Sequence, residues 1–317
     1  MASSDYTVTG ANLRDVADAI RAKTGQAGLI SPDQMAAAIA AIPSGGGGKL
    51  SAVSDKTVTS ISEEDLAGAT LIKEYFFQGC TSLESVVISD SVTAIEGNAF
   101  YECTALKSVI IPEGVTSIGS YAFYKCSSLE SVVIPGSVTS IGSYAFAYCT
   151  NLKSVTFEDG DGLTLNSSVF SSCTSLESIY WPQSNITIKD AFRYCSALNT
   201  VIIPANVSFG NSMYAFINCT SLENVEIASS DIPRNTFLGC TGLSKIWLRS
   251  SVNTIQVLTE SSAVGKTGPF YNSAASAVLY CEPASKPAGW DVGFNLYSGT
   301  VGNVTLTTVY NQQTSPF

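Results

Sequence analysis

The chain contains no histidine. That removes Ser-His-Asp and Cys-His nucleophilic catalysis, His-ligated metal centres and ordinary imidazole acid–base chemistry, leaving only carboxylates, lysine or tyrosine for any enzymatic route. Charge is scarce too: Asp, Glu, Lys and Arg make up 13% of the 317 residues, and the balance is −10. An acidic surface does not attract phosphate backbones or anionic headgroups, so nucleic-acid binding is excluded. No apolar run approaches the roughly 18 residues of a spanning helix, so membrane insertion is not expected. The opening residues, MASSDYTVTG, lack the basic and apolar regions of a signal peptide, and the chain is read as not following the classical export route. Disorder is excluded as well, because 45% of the residues are apolar. The length suffices for one long domain or two or three small ones.

What the chain does have is a period. Residues 114–129 read GVTSIGSYAFYKCSSL, and residues 137–152 read SVTSIGSYAFAYCTNL. Cysteines stand at Cys80, Cys103, Cys126, Cys149, Cys173, Cys195, Cys219 and Cys240, with successive gaps of 23, 23, 23, 24, 22, 24 and 21. A phenylalanine precedes each by three residues, from Phe77 to Phe237, and a leucine follows each by three, from Leu83 to Leu243. Zinc ligands cluster, and disulfide frameworks belong to short secreted chains; neither produces this spacing. A repeat of 20–29 residues marks a solenoid. Within each unit, a segment such as LESVVIP (129–135) predicts a strand with Leu, Val and Ile turned inward, ended by Pro135 and Gly136. VTSI predicts a second short extended segment, and SYAF the start of a tight helical or irregular turn back to the cysteine.

This unit resembles the BspA-type leucine-rich repeat, whose pattern reads IPxxVTxIGxxAFxxCxxL. The resemblance covers about residues 71–255, roughly eight coils. It implies an α/β repeat, a right-handed solenoid with a parallel sheet along one side. The pattern departs at 157–170, where the proline is lost, and at 228–237, where a coil is shortened.

The ends differ from the middle. Leu13, Val16, Ala17 and Ile20 share one helical face, as do Met35, Ala38, Ile39 and Ile42; Ser31, Pro32 and Gln34 form a helix start. A helical hairpin is therefore expected over 1–43, followed by a Gly-rich linker at 44–48. This segment, AIRAKTG…ISPDQMAAAIAAI, resembles a short module on tail and fibre-like proteins of phages of Gram-positive bacteria. The solenoid is placed at 49–258 and a C-terminal capping region at 259–317, because a last coil needs cover. The alternation over 301–310 suggests one or two strands there, and Cys281 has no assigned role.

The candidate sites follow from position in the repeat. The eight cysteines are read as a buried structural ladder, and no metal or cofactor is called for. The residues after each leucine (Glu84, Lys107, Glu130, Lys153, Glu177, Asn199, Glu223, Ser244) form a row that serves register, with alternating charge over its first five positions. EDGDG (158–162) is read as a turn-rich insertion and VGKTG (264–268) as loop. The outward strand position runs Val87, Ile110, Val133, Thr156, then Tyr180, Ile202, Glu226 and Trp247. The last four are candidate ligand-binding residues, together with Tyr124, Tyr148 and Tyr194 beside the turns, since rigid amphipathic rings among Ser and Asn suit recognition.

The function expected is non-enzymatic recognition. The main expectation is a phage virion component, a tail fibre or receptor-binding protein. It would contact other virion proteins through the N-terminal module and a host surface glycan or protein through the solenoid. The missing export signal points the same way, because virions leave by lysis. The alternative is a BspA-like adhesin on the bacterial cell surface, and a homo-oligomer is compatible with either. A glycan depolymerase is a third class, disfavoured because Glu84, Glu130, Glu177 and Glu223 belong to a repeated row rather than to an isolated pair.

Overall fold

The computed structural model describes residues 53, 56–66, 68–249, 252 and 254–255, and strands at 276–281, 300–301 and 304–310. The hairpin expected over 1–43 and the linker at 44–48 lie outside them. From Ser60 to Ile255 the chain is a parallel β-solenoid of about eight coils, its elements short strands and one 3-10 helix at Glu64–Leu66. The expected α/β class is therefore corrected to β over this span. Few residues separate the second strand of each coil from the cysteine, and they are held as tight turns.

Each coil contributes two strands and one turn. First strands include Ser85–Val87, Ser108–Ile110, Ser131–Ile134, Ser154–Phe157, Ser178–Tyr180, Thr200–Ile203, Asn224–Ile227 and Lys245–Leu248. Their parallel register pairs equivalent positions, such as Val132 with Val155 and Glu226 with Trp247. Second strands form a seven-stranded parallel sheet from Leu71–Ile72 to Val207–Ser208. The first-strand sheet continues past the periodic region: Lys245–Leu248 pairs with Ser276–Cys281, which pairs with Val304–Tyr310. The alternation at 301–310 thus corresponds to Thr300–Val301 and Val304–Tyr310, joined antiparallel. Cys281 is in register with Leu248.

The turn face is bonded from coil to coil as a sheet would be. Tyr121, Phe123 and Lys125 donate their amide N–H groups to the carbonyls of Ser143, Ala145 and Ala147 in the next coil. The amides between them close local turns, Tyr124 N–H to Tyr121 O and Cys126 N–H to Phe123 O. This alternation requires left-handed backbone at two positions four residues apart, as at Tyr121 and Lys125 (φ 59° and 57°) and at Tyr144 and Tyr148 (φ 60° and 61°). Such a conformation costs a non-glycine residue about 1–2 kcal/mol. The inter-coil bonds and the buried Phe between the two positions offset it.

The core is a set of stacked rows. Phe77, Phe100, Phe123 and Phe146 are fully buried, with ring centroids 4.9 Å apart and planes within 8° of parallel. From Phe146 to Phe237 the spacing widens to 5.3–5.6 Å. The glycine of the SIG segment is dictated by stacking. A Cβ at Gly142 would lie 2.3 Å from the backbone nitrogen of Ser120, and one at Gly119 would lie 2.4 Å from that of Gly97.

Candidate functional site

The cysteine row has a specific geometry. From Cys103 onward each thiol points at the backbone carbonyl of the phenylalanine one coil earlier: Cys103 to Phe77 at 3.0 Å, Cys149 to Phe123 at 3.3 Å, Cys195 to Phe170 at 3.2 Å and Cys240 to Phe216 at 3.1 Å; Cys80, in the first coil, points at the carbonyl of Val53 at 3.8 Å. The same carbonyl accepts the amide of its own coil's cysteine, as Phe77 O does from Cys80 N–H. The thiol thus occupies the second acceptor position of a buried carbonyl that would otherwise hold only one bond. Cys80, Cys103, Cys126, Cys149, Cys173, Cys195, Cys219 and Cys240 are all free and buried. Burial pushes the Cys103 thiol up to about 12, and Cys126, Cys149, Cys195 and Cys219 well above their ordinary value. These are weakly nucleophilic thiols in apolar surroundings.

The charged row after the leucines is exposed. Lys107 Nζ lies 2.9 Å from Glu84 Oε2, both more than half exposed. A separate pair beside the turns joins Lys125 to Glu102 at 2.8 Å.

The outward strand row is not continuous. Val87, Ile110, Val133 and Thr156 are half-buried, and Tyr180 and Ile202 are 57% and 52% exposed. Glu226 and Trp247 were expected to follow them outward, but Glu226 is 8% exposed and Trp247 fully buried. Both keep the outward register, Glu226 against Ile202 and Trp247, and Trp247 against Tyr280, but their face is covered, with Arg249 lying against Glu226 and over Trp247. Glu226 is held by Arg249, whose Nη2 and Nε lie 2.6 and 2.7 Å from Glu226 Oε1, and whose guanidinium stands 5.2 Å from the Trp247 ring centre. These residues make a closed ionic contact rather than an open surface.

The turn tyrosines form two rows along the coils. Tyr101 stacks on Tyr124 at 5.1 Å, Tyr121 on Tyr144 at 5.2 Å, and Tyr124 meets Tyr121 and Tyr148 edge to face. Tyr148 and Tyr194 are about two-fifths exposed, and Tyr124 is half-buried. Partial burial raises the Tyr124 phenol, against the opposing pull of Lys125. Arg193 stands over both Tyr194 and Tyr214 at 5.7 Å. Much of the ring surface here is occupied by neighbouring rings and cations.

One place on the strand face is open. Backbone bonds run from Lys107 N–H to Glu84 O, Glu130 to Lys107, Lys153 to Glu130 and Glu177 to Lys153, and resume from Glu223 to Asn199. No such bond joins Asn199 to Glu177, and the Ser178–Tyr180 and Thr200–Ile203 strands belong to different sheets. Between them lies a cleft of about 330 Å³ lined by Glu177–Trp181 and Asn199–Ile202. The sequence reading contained its two exposed side chains but not the split. The one available signal was Trp181, at an inward position where other coils carry Ile88, Ile111, Ile134 or Ile203.

A model described as the BspA type leucine-rich repeat region matches in six copies, over residues 70–190 and 163–259. No curated protein matches the chain. Among solved structures, a leucine-rich repeat protein of T. pallidum is 27% identical, with 44% of this chain and 72% of that one covered, at a TM-score of 0.37. One from Eubacterium ventriosum is 17% identical over 86% and 89%, at 0.36. A leucine-rich cell surface protein from Faecalibacterium prausnitzii is 21% identical over 81% and 84%, at 0.27. At these TM-scores the superpositions carry no weight beside the repeat match itself.

Proposed function

The chain belongs to the BspA-type leucine-rich repeat family, and from that premise we propose that it is a non-enzymatic adhesin that holds a partner on the strand face of its solenoid at a bacterial cell surface. The observation that carries this reading is the outward pair Tyr180 and Ile202, more than half exposed on neighbouring coils. A small β-former would satisfy the sheet at both positions, as Thr156 does one coil earlier. Large exposed aromatic and aliphatic groups on a rigid scaffold serve recognition at low entropic cost. The lack of histidine and the place of the outward carboxylates in a repeated, charge-alternating row, rather than as two carboxylates facing each other across a cleft, support binding over catalysis.

Purified protein should bind bacterial cells, or their extracted surface material, saturably. Absent or non-saturable binding overturns the reading.

A second reading, a virion component, is favoured by the resemblance of AIRAKTG…ISPDQMAAAIAAI to modules of phage tail proteins. In it, residues 1–43 attach to other virion proteins across the 44–48 linker, the solenoid of 49–258 meets the host surface glycan or protein, and 259–317 caps the last coil. Immunogold labelling separates the two: label on the cell envelope favours the adhesin, and label on released particles the virion component.

A further inference from the structure

The fifth and sixth coils are bonded to each other on two faces and open on the third. Their second strands pair, Ile186 with Val207. Their turns are joined by Phe192 N–H to Ala215 O and Tyr194 N–H to Ile217 O. Only the first strands, Ser178–Tyr180 and Thr200–Ile203, are unbonded. The sheet is also interrupted between Ser108–Ile110 and Ser131–Ile134, but there Glu130 N–H still donates to Lys107 O. Trp181 stands at the split. Its indole stacks on Phe157 at 6.1 Å and meets Phe192 edge-on at 5.7 Å. The same row reads Ile88, Ile111, Ile134, Phe157, Trp181 and Ile203, so the side chain grows over two coils; Phe157 is accommodated in a strand paired on both sides, and the larger, half-buried indole sits in the strand that is open on one side. Ile179 is half-buried where Val155 and Val201 are buried.

Resting on the recognition reading above, we infer that this split is a binding site for a neutral sugar ring of a surface glycan. Tyr180 supplies a flat apolar wall. Unlike the turn tyrosines, it stacks on no other ring among the described residues, so its face is available to the C–H face of a pyranose. Ile202 stands across the cleft. Around them Glu177 and Asn199 are exposed: the Glu177 carboxylate offers acceptors and the Asn199 amide nitrogen offers donors to hydroxyl groups, while the Thr200 hydroxyl, donating to Asn199 Oδ1 and accepting from Asn224 Nδ2, holds Asn199 in place. The mixture of an apolar platform with a few convergent polar groups is that of small-ligand sites, and about 330 Å³ falls at the lower end of their size. Charge narrows the ligand class. The lining holds one carboxylate and no cation, so acidic sugars are repelled. An ammonium ligand is a poorer fit, since one ring and one exposed carboxylate do not enclose it as an aromatic cage does.

The test is binding of the full chain to an array of neutral and anionic bacterial oligosaccharides, followed by titration calorimetry with the best binder. Neutral oligosaccharides should bind, and Tyr180→Ala should weaken them at least tenfold with an unchanged melting temperature. Trp181→Ile should close the split, slow amide exchange at Thr200–Ile202 and weaken binding as much. If that variant does not fold, Tyr180→Ala decides alone. The inference is overturned if no oligosaccharide binds, if anionic ones are preferred, if a lysine-rich peptide displaces the bound sugar, or if Tyr180→Ala binds like the parent. Cell binding distinguishes this failure from that of the broader reading. A parent that binds cells but no array sugar refutes the sugar site alone, and one that binds neither refutes both.

Discussion

The thiol of Cys126 lies 3.3 Å from the backbone carbonyl of Phe100, one coil earlier in the solenoid. That contact explains why a cysteine recurs. The group must be small enough for a fully buried slot, and it must carry one weak donor for a carbonyl already accepting one amide. Alanine fills the first need and not the second. Cys126→Ala should therefore destabilise by about 1–3 kcal/mol, the range for leaving a buried acceptor short of a donor. Denaturant midpoints of the variant and the parent check it.

The same row makes stability depend on alkaline pH. Folded-state thiol values are raised above the ordinary 9.0 at Cys80, Cys103, Cys126, Cys149, Cys173, Cys195 and Cys219, chiefly by burial. Above pH 9 the unfolded chain releases these protons and the folded chain keeps them, so unfolding is favoured as pH rises. Stability contributed by each thiol is complete below pH 9 and is lost as pH climbs toward the folded value, which for Cys103 is about 12. Each fully differential thiol adds a slope of about 1.4 kcal/mol per pH unit. Chemical denaturation at pH 8, 9 and 10 should show a steep decline, shallower in a variant with Cys103 and Cys126 both replaced by serine. A flat profile would contradict it.

Coil spacing is set by backbone approach at Gly119 and Gly142. Gly142→Ala should lower stability by about 1–3 kcal/mol, the usual cost of overpacking, because the added Cβ would meet the Ser120 nitrogen at 2.3 Å. Gly79→Ala meets no atom within 4 Å but has φ +67°, so its cost comes from backbone conformation alone. Thermal unfolding of the two variants separates packing from dihedral strain.

Two ion pairs of similar length should differ in worth. Arg249→Met leaves the nearly buried Glu226 carboxylate without its guanidinium and should cost about 3–5 kcal/mol. Lys107→Met removes an exposed contact at 2.9 Å and should cost about 1 kcal/mol at most. Equal losses in urea titration would show that burial does not govern them.

Trp247 and Tyr180 occupy equivalent strand positions with opposite exposure. Trp247→Ala should destabilise by about 3–5 kcal/mol, as expected for a buried aromatic. Tyr180→Ala should stay within about 0.5 kcal/mol. Scanning calorimetry on both variants decides it.

What could be read from the sequence was whatever repeats. Cys, Phe and Leu recur in register because each coil meets the same neighbours, so the period alone gave the solenoid and its core rows. The turn ladder was hidden because its left-handed positions accept Tyr, Lys, Ser, Asn and Asp alike; only Gly79 and Gly239 advertise the backbone. Exposure of Trp247 was misread because alternation tells which face a side chain leaves from, not whether anything covers that face. The cleft coincides with a departure, Phe157 and then Trp181 in a row otherwise of Ile and Leu, and strand pairing beside it is a packing outcome that no periodicity encodes.

The coils carrying residues 114–129 and 137–152 present matching contacts above and below, phenylalanine on phenylalanine at 4.9 Å and thiol to carbonyl at 3.3 Å. Excising one 23-residue unit between Cys126 and Cys149 would keep the Phe and Cys rows in register, but it would set Glu113 where Gly136 now faces the Asp159 carbonyl, a place where a Cβ lies 1.8 Å from that oxygen. Recombination between such near-identical stretches of gene can therefore add or delete whole coils with the core rows in register, each changing the reach of the molecule by about 4.8 Å, and it is the loops at the joint that must match. Length, in this architecture, is an inheritable variable that the core rows permit and the loop glycines constrain.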